Sequence, residues 1–155
     1  MNEKRRDVLK AISGAGIFGA LISAGIVTPA MVYAADERKI FAAKTLDEAF
    51  AALGTPKPAE SADITITAPD IAENGAVVPV GVASKIAKTE QVAILVEKNP
   101  NMVAATFTFG ENTLPDLQTR IKMGQTSDVL AVVKADGKFY MARKEVKVTL
   151  GGCGG

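Results

Sequence analysis

From Ala62 to Leu150, apolar side chains recur at every second position in one short stretch after another, and that period suits strands and defeats helices. "DITITAP" places Ile64 and Ile66 on one side and Thr65 and Thr67 on the other. "AVVPVGV" groups Val78, Val80 and Val82, with Pro79 marking an edge or a bulge. "MVAATFTFG" aligns Val103, Ala105, Phe107 and Phe109 on one face. "LQTRIKM" sets Leu117, Thr119, Ile121 and Met123 against Gln118, Arg120 and Lys122. "QVAILVEK" is apolar on both sides, as a strand covered on both faces would be, and "SDVLAVVK" follows in similar vein. Asp136-Gly137 is a tight-turn signal. It leads into "YMARKEVKVTL", where Tyr140, Ala142, Val146, Val148 and Leu150 share a face that Lys144 interrupts.

Several short strands separated by turn signals predict an all-β fold, an immunoglobulin-like β-sandwich over residues 35–150. With no tryptophan and one cysteine, its core must be aliphatic and free of an internal disulfide. One short helix precedes the strands. Thr45 and Glu48 have capping-box spacing, and Leu46, Ala49, Phe50 and Leu53 recur at helical intervals. Gly54 supplies a stop, and Pro56 and Pro58 forbid continuation.

Composition removes most enzymatic readings. The chain has 155 residues, 18 basic against 17 acidic side chains, and no histidine. Charges that nearly cancel give no electrostatic case for nucleic acid. Histidine-assisted nucleophilic chemistry is excluded. An internal transition-metal site, which mostly needs imidazole or thiolate clusters, is not expected. No Gly-rich phosphate loop sits between a strand and a helix. Arg120, Lys122 and Arg143 could meet an anion, but charges on the outer face of a strand are ordinarily solvated.

The first 34 residues read as an address. Lys4, Arg5 and Arg6 precede an uncharged run from Ala11 to Ala35, and Val32-Tyr33-Ala34 fits a cleavage site after Ala34. "RRDVLK" has the paired arginines of a twin-arginine export signal, with valine where that motif often has phenylalanine. An uncleaved membrane anchor is the alternative, since the run is long enough to span a bilayer. After cleavage no membrane attachment is expected. Export places the chain in the oxidising periplasm.

The last segment, 151–155, is "GGCGG". It holds the only cysteine, Cys153, between Gly151, Gly152, Gly154 and Gly155. Four glycines give a thin backbone of wide conformational range and nothing to bury. The expectation is a flexible arm that begins where the last strand stops and offers its thiol outside the fold. A lone cysteine in an oxidising compartment pairs with another molecule or stays a free thiol. No cation, metal or helix N-terminus neighbours it along the chain, and the terminal carboxylate disfavours thiolate. Activation would have to come from a partner's active site.

"APDIAENGAVVPV", "KNPNMVAATFTF", "LQTRIKMGQTSDVLAVVKADGKFYMARKEVKVTLGGCGG" and the twin-arginine leader resemble the SoxY family, sulfur-carrier subunits of the periplasmic thiosulfate-oxidising system. The resemblance covers the whole mature chain. It implies an immunoglobulin-like fold paired with a second β-sandwich subunit, SoxZ. It further implies sulfur intermediates held covalently on Cys153, and no haem, metal or other cofactor in the carrier. The chain would then be no enzyme but the substrate of several. A haem-containing enzyme conjugates thiosulfate to the cysteine, a manganese-dependent hydrolase releases sulfate, and, where present, a sulfane dehydrogenase oxidises the remaining sulfur.

Two other readings of the tail stand beside this one. The chain could be an exported binding or structural sandwich whose Cys153 only forms an intermolecular disulfide. It could be a ubiquitin-like carrier activated through Gly154-Gly155, although that activation needs ATP and export removes it. Prenylation requires cysteine fourth from the end, and Cys153 is third.

Overall fold

A computed structural model describes residues 39–149 apart from Pro56. The export signal with Arg5 and Arg6, and the 150–155 tail, lie outside the described residues. Within them nine strands form in order: β1 (Ala59–Glu60), β2 (Ile64–Thr67), β3 (Ile71–Ala72), β4 (Val78–Ser84), β5 (Thr89–Val96), β6 (Val103–Thr108), β7 (Asp116–Ile121), β8 (Ser127–Ala135) and β9 (Lys138–Val148). One sheet has the order β2-β4-β7. The other runs β1-β9-β8-β5-β6, with β3 also on β9. Among the seven longer strands this puts the first, second and fifth in one sheet and the remaining four in the other, the immunoglobulin-type arrangement.

The sandwich core lies between the sheets. Val78, Val80 and Val82 of β4 meet Val92, Ile94 and Val96 of β5 and Val129, Ala131 and Val133 of β8. The alternating side chains of β5 and β8, Ala93, Leu95, Leu130 and Val132, are equally buried but point the other way. Two-sided burial of these strands demands a second cover. The helix α1 (Leu46–Leu53) supplies it by laying Ala49 and Phe50 over them, with Met141 of β9 and Val103 of β6 completing the layer.

α1 is bounded as its sequence predicts, with one difference. Thr45 Oγ1 accepts from the Glu48 N–H at 3.2 Å. The Glu48 carboxylate, however, accepts from the Lys44 N–H at 2.8 Å, one residue before the cap, so the reciprocal half of the capping box is displaced. Gly54, at φ 90°, ends the helix, and the Gly54 and Thr55 N–H groups donate to the Ala51 and Phe50 carbonyls. That is a Schellman closure.

Three sequence expectations are refined by register. Pro79 is not on an edge strand, but β2 pairs with β4 only from Gly81 to Ser84, so Pro79 faces β7 alone and its missing donor costs no ladder bond to β2. Val103 does not share a face with Ala105, Phe107 and Phe109. A bulge at Ala104 shifts the β5–β6 register between Ile94↔Ala105 and Leu95↔Val103. This sends Val103 to the helix side, while Phe107 and Phe109 stay on the sandwich core. Lys144 interrupts an apolar face because its amine leaves the core sideways. It donates to the Ala68 carbonyl at 2.7 Å and pairs with Asp70 at 3.1 Å, bridging β9 to the chain after β2.

Because the helix is the second wall of the core, Phe50→Ala should cost about 3 kcal/mol of stability, in the range for a buried aromatic truncation. Urea denaturation would measure it. A change below about 1 kcal/mol would mean that the helix covers the sheet without contributing to its core.

Candidate functional site

The predicted arm leaves from β9, so the surroundings of the β9 end define the site. The β8–β9 ladder runs from Ala135↔Lys138 to Ser127↔Val146 and stops. Beyond it, each remaining strand N–H of β9 finds another partner. Lys147 donates to the Asp70 carbonyl at 3.0 Å and Thr149 to the Ala72 carbonyl at 3.1 Å, in the short parallel pairing with β3. On the other side, the Val148 N–H donates to Thr126 Oγ1 at 3.0 Å. The Thr126 side chain continues the ladder where the β8 backbone has turned away.

The floor beneath is close-packed. The Met123 N–H donates to the Gly75 carbonyl at 2.7 Å. A Cβ placed on Gly75 would collide with the Met123 carbonyl oxygen and come within 2.9 Å of Val148 Cγ1. The glycine is there because two backbones and the last core side chain of β9 leave no room. Asn99 ties the neighbouring loops together. Its amide donates to the Lys122 carbonyl at 2.7 Å, and its Oδ1 accepts from the Gly124 N–H at 3.1 Å. The Lys98 N–H reaches Ser127 Oγ at 3.0 Å. The root of the arm is therefore a fixed point.

Cys153 and Gly151, Gly152, Gly154 and Gly155 lie outside the described residues. Covalent geometry still limits them. Four residue steps separate Thr149 from Cys153, so its backbone lies at most about 14 Å from Thr149. A cleft between segments 84–90 and 109–115, walled in part by Ile86, Phe109 and Leu114, is at the other end of the sandwich. The eight steps of β8 alone span about 26 Å. The thiol of the same chain cannot reach that cleft.

The three cations considered for an anion do not form one cluster, since Arg143 is on the other sheet from Arg120 and from Lys122, which is exposed just past β7. Arg120 is on the exposed face of the three-stranded sheet. Arg143 is on the helix-side face of the other sheet, 3.7 Å from Glu60 and 4.0 Å from Asp128. Sequence reasoning missed Thr126, Gly75 and Asn99. Asn74-Gly75 looks like any turn pair in a sequence, and only the approach of Met123 and Val148 gives it a further role.

With this geometry in place, the comparisons with known proteins are specific. Residues 49–153 match the family model "Sulfur oxidation protein SoxY", a match that ends on Cys153. The solved structure of the sulfur carrier protein SoxY from Chlorobium limicola f thiosulfatophilum is 41% identical, with a TM-score of 0.63 over 71% of this chain and 96% of that one. A point variant of the superoxide reductase (neelaredoxin) from Ignicoccus hospitalis is 21% identical with a TM-score of 0.50, over 59% of this chain and 83% of that one, and shares the fold alone. No curated protein matches. The chain belongs to the SoxY family, and its role is that of a carrier in sulfur oxidation.

Thr126→Val keeps the shape of the side chain and removes the hydroxyl. It should speed amide hydrogen exchange at Val148 about tenfold, the equivalent of one ordinary hydrogen bond, with Val132 unchanged as an internal reference. Exchange at Val148 equal to wild type would show that Thr126 does not hold the root.

Proposed function

We propose that this chain is a periplasmic carrier that holds thiosulfate-derived sulfur covalently on the Cys153 thiol and presents it to successive enzymes. The single observation that carries the reading is the SoxY match running through to Cys153, on a chain whose last described strand is fastened up to Thr149.

In this reading the chemistry is done elsewhere. A haem-containing partner joins the thiol to thiosulfate. One S–S bond forms, a proton leaves the thiol, and two electrons pass to the partner. A manganese-dependent hydrolase then adds water across the terminal S–S bond, releasing sulfate and leaving a persulfide on Cys153. A sulfane dehydrogenase, in organisms that have one, oxidises that sulfur. The carrier contributes no cofactor. It contributes tethering, which keeps reactive intermediates from diffusing away and gives the next enzyme a high effective concentration of substrate. A SoxZ-type β-sandwich completes the carrier as a heterodimer. Export by the twin-arginine route, through Arg5 and Arg6, would bring it folded to the periplasm.

Two measurements test the proposal. Intact mass of protein from thiosulfate-grown cells should show sulfur adducts confined to the C-terminal peptide, and Cys153→Ser should abolish thiosulfate turnover with an unchanged thermal melt. Full turnover by Cys153→Ser, or a thiol found only as a disulfide between two chains, would overturn the carrier reading. A separate expectation concerns activation. Cys153 in the isolated protein should react with iodoacetamide within about threefold of a free-thiol peptide, because nothing along the chain lowers its pKa. A much faster reaction would mean that the fold activates the thiol itself.

A further inference from the structure

The two sheets leave several edges, and β6 is the longest of them that carries no guard among the described residues. Natural sheets blunt exposed edges with charge, proline, short strands or a cover. β7 carries Asp116 and Arg120, both exposed. β1 is two residues long, and its Glu60 sits beside Arg143. β2 is only four residues long, and just past its end Lys144 holds the Ala68 carbonyl to β9.

β6 is different. It ends the larger sheet, and no strand among the described residues lies beyond it. From Asn99 to Gly110 the chain carries no charged residue, although charged residues make up 23% of the protein. Its start is capped, because the Met102 N–H donates to the Ala43 carbonyl at 2.9 Å, and no bond among the described residues carries that cap along the strand. The register says where the remaining groups point. Phe109 donates inward to the Glu90 carbonyl at 2.8 Å, and Phe107 and Ala105 follow it in phase opposite Val92 and Ile94. By alternation Thr106 and Thr108 turn their N–H and C=O groups outward.

An outward row of backbone donors and acceptors, with no charge to repel a neighbour, recognises one kind of partner: another extended backbone. Its position also suits a carrier. Three strand spacings, about 14 Å, separate β6 from β9, so a strand added there leaves the arm root uncovered. We propose that the Ala104–Thr108 edge accepts an edge strand of the companion β-sandwich subunit, extending the larger sheet across the heterodimer. The proposal rests on the carrier reading for the existence of that subunit, and on β6 alone for the site.

The test uses the full chain with the SoxZ subunit of the same organism. Amide exchange of Thr106 and Thr108 should slow at least about tenfold in the complex, while Gln118 and Arg120 of β7 stay unchanged. Thr106→Pro removes an outward N–H that no described neighbour uses, and should weaken heterodimer formation at least about tenfold by calorimetry, while Thr106→Val binds as wild type. Equal exchange in free and bound protein, or protection on β7 instead, overturns the proposal, and this readout holds whether or not Thr106→Pro folds. Protection of Thr106 and Thr108 in a homodimer of this chain, with none added by SoxZ, overturns it as well. Sulfur adducts on Cys153 are read separately by mass. Their absence would remove the carrier reading and leave the edge result standing.

Discussion

The pairing of β8 with β9 fixes most of what matters in this molecule. Nine residue pairs run from Ala135↔Lys138 to Ser127↔Val146. The hairpin between them is closed by two residues in the left-handed region, Asp136 at φ 49° and Gly137 at φ 72°. Such a turn matches the twist of the flanking strands and admits no slack in register. A slip of one residue would move Met141 from beneath the helix into the sandwich and turn Val146 out of it to the side of the exposed Glu145 and Lys147. With the turn at one end of the sandwich, β9 can finish only at the other, beside Thr126. The exit point of the tail is thus set by a turn some ten residues upstream, through the ladder between them.

The same ladder explains the helix. β8 is buried on both faces, Val129, Ala131 and Val133 toward the smaller sheet and Leu130 and Val132 away from it. A sheet with one wet face would need only one partner layer. Here a few residues before the first strand, Ile40, Ala49 and Phe50 above all, form the second. The helical segment also reaches the edge of the sheet at Ala43, and among the described residues it covers only the start of β6 there.

The sequence shows these consequences unevenly, and the reasons are physical. Alternation reveals the faces of β2, β4 and β7 because each has one dry and one wet side, and it shows the sandwich face of β9 but not that Met141 opposite is covered by the helix. Helix boundaries are legible because Thr45 and Gly54 act locally. The bulge at Ala104 is not legible, since one extra residue in "VAATFT" changes no pattern that composition can display, yet it sends Val103 to the opposite layer. Lys144 looks like an error in an apolar face until the Ala68 carbonyl is seen within its reach. β3 is invisible because two residues have no period. Cys153 and its glycines are the reverse case. On the proposed reading the tail announces its chemistry in sequence, whereas the surroundings of the end of β9, Thr126, Gly75 and Ala72, come from three distant segments and exist only once the chain has folded.

A short tether places a demand on its anchor that a long one does not. Effective concentration at a partner's site falls as a tether lengthens, and vanishes when it cannot span the gap. With at most about 14 Å between Thr149 and Cys153, the margin is narrow. Fraying the strand by even two residues would lengthen the tether by about half, since each residue adds roughly 3.5 Å. Strand ends ordinarily fray, because their outer hydrogen bonds are the weakest held. In this chain the last N–H groups before the tail are divided between two separate supports, β3 on one side and Thr126 on the other. Opening one leaves the other in place. If the tail carries sulfur as proposed, a close-packed glycine and a side-chain hydroxyl at the end of β9 would then determine how far the thiol can travel.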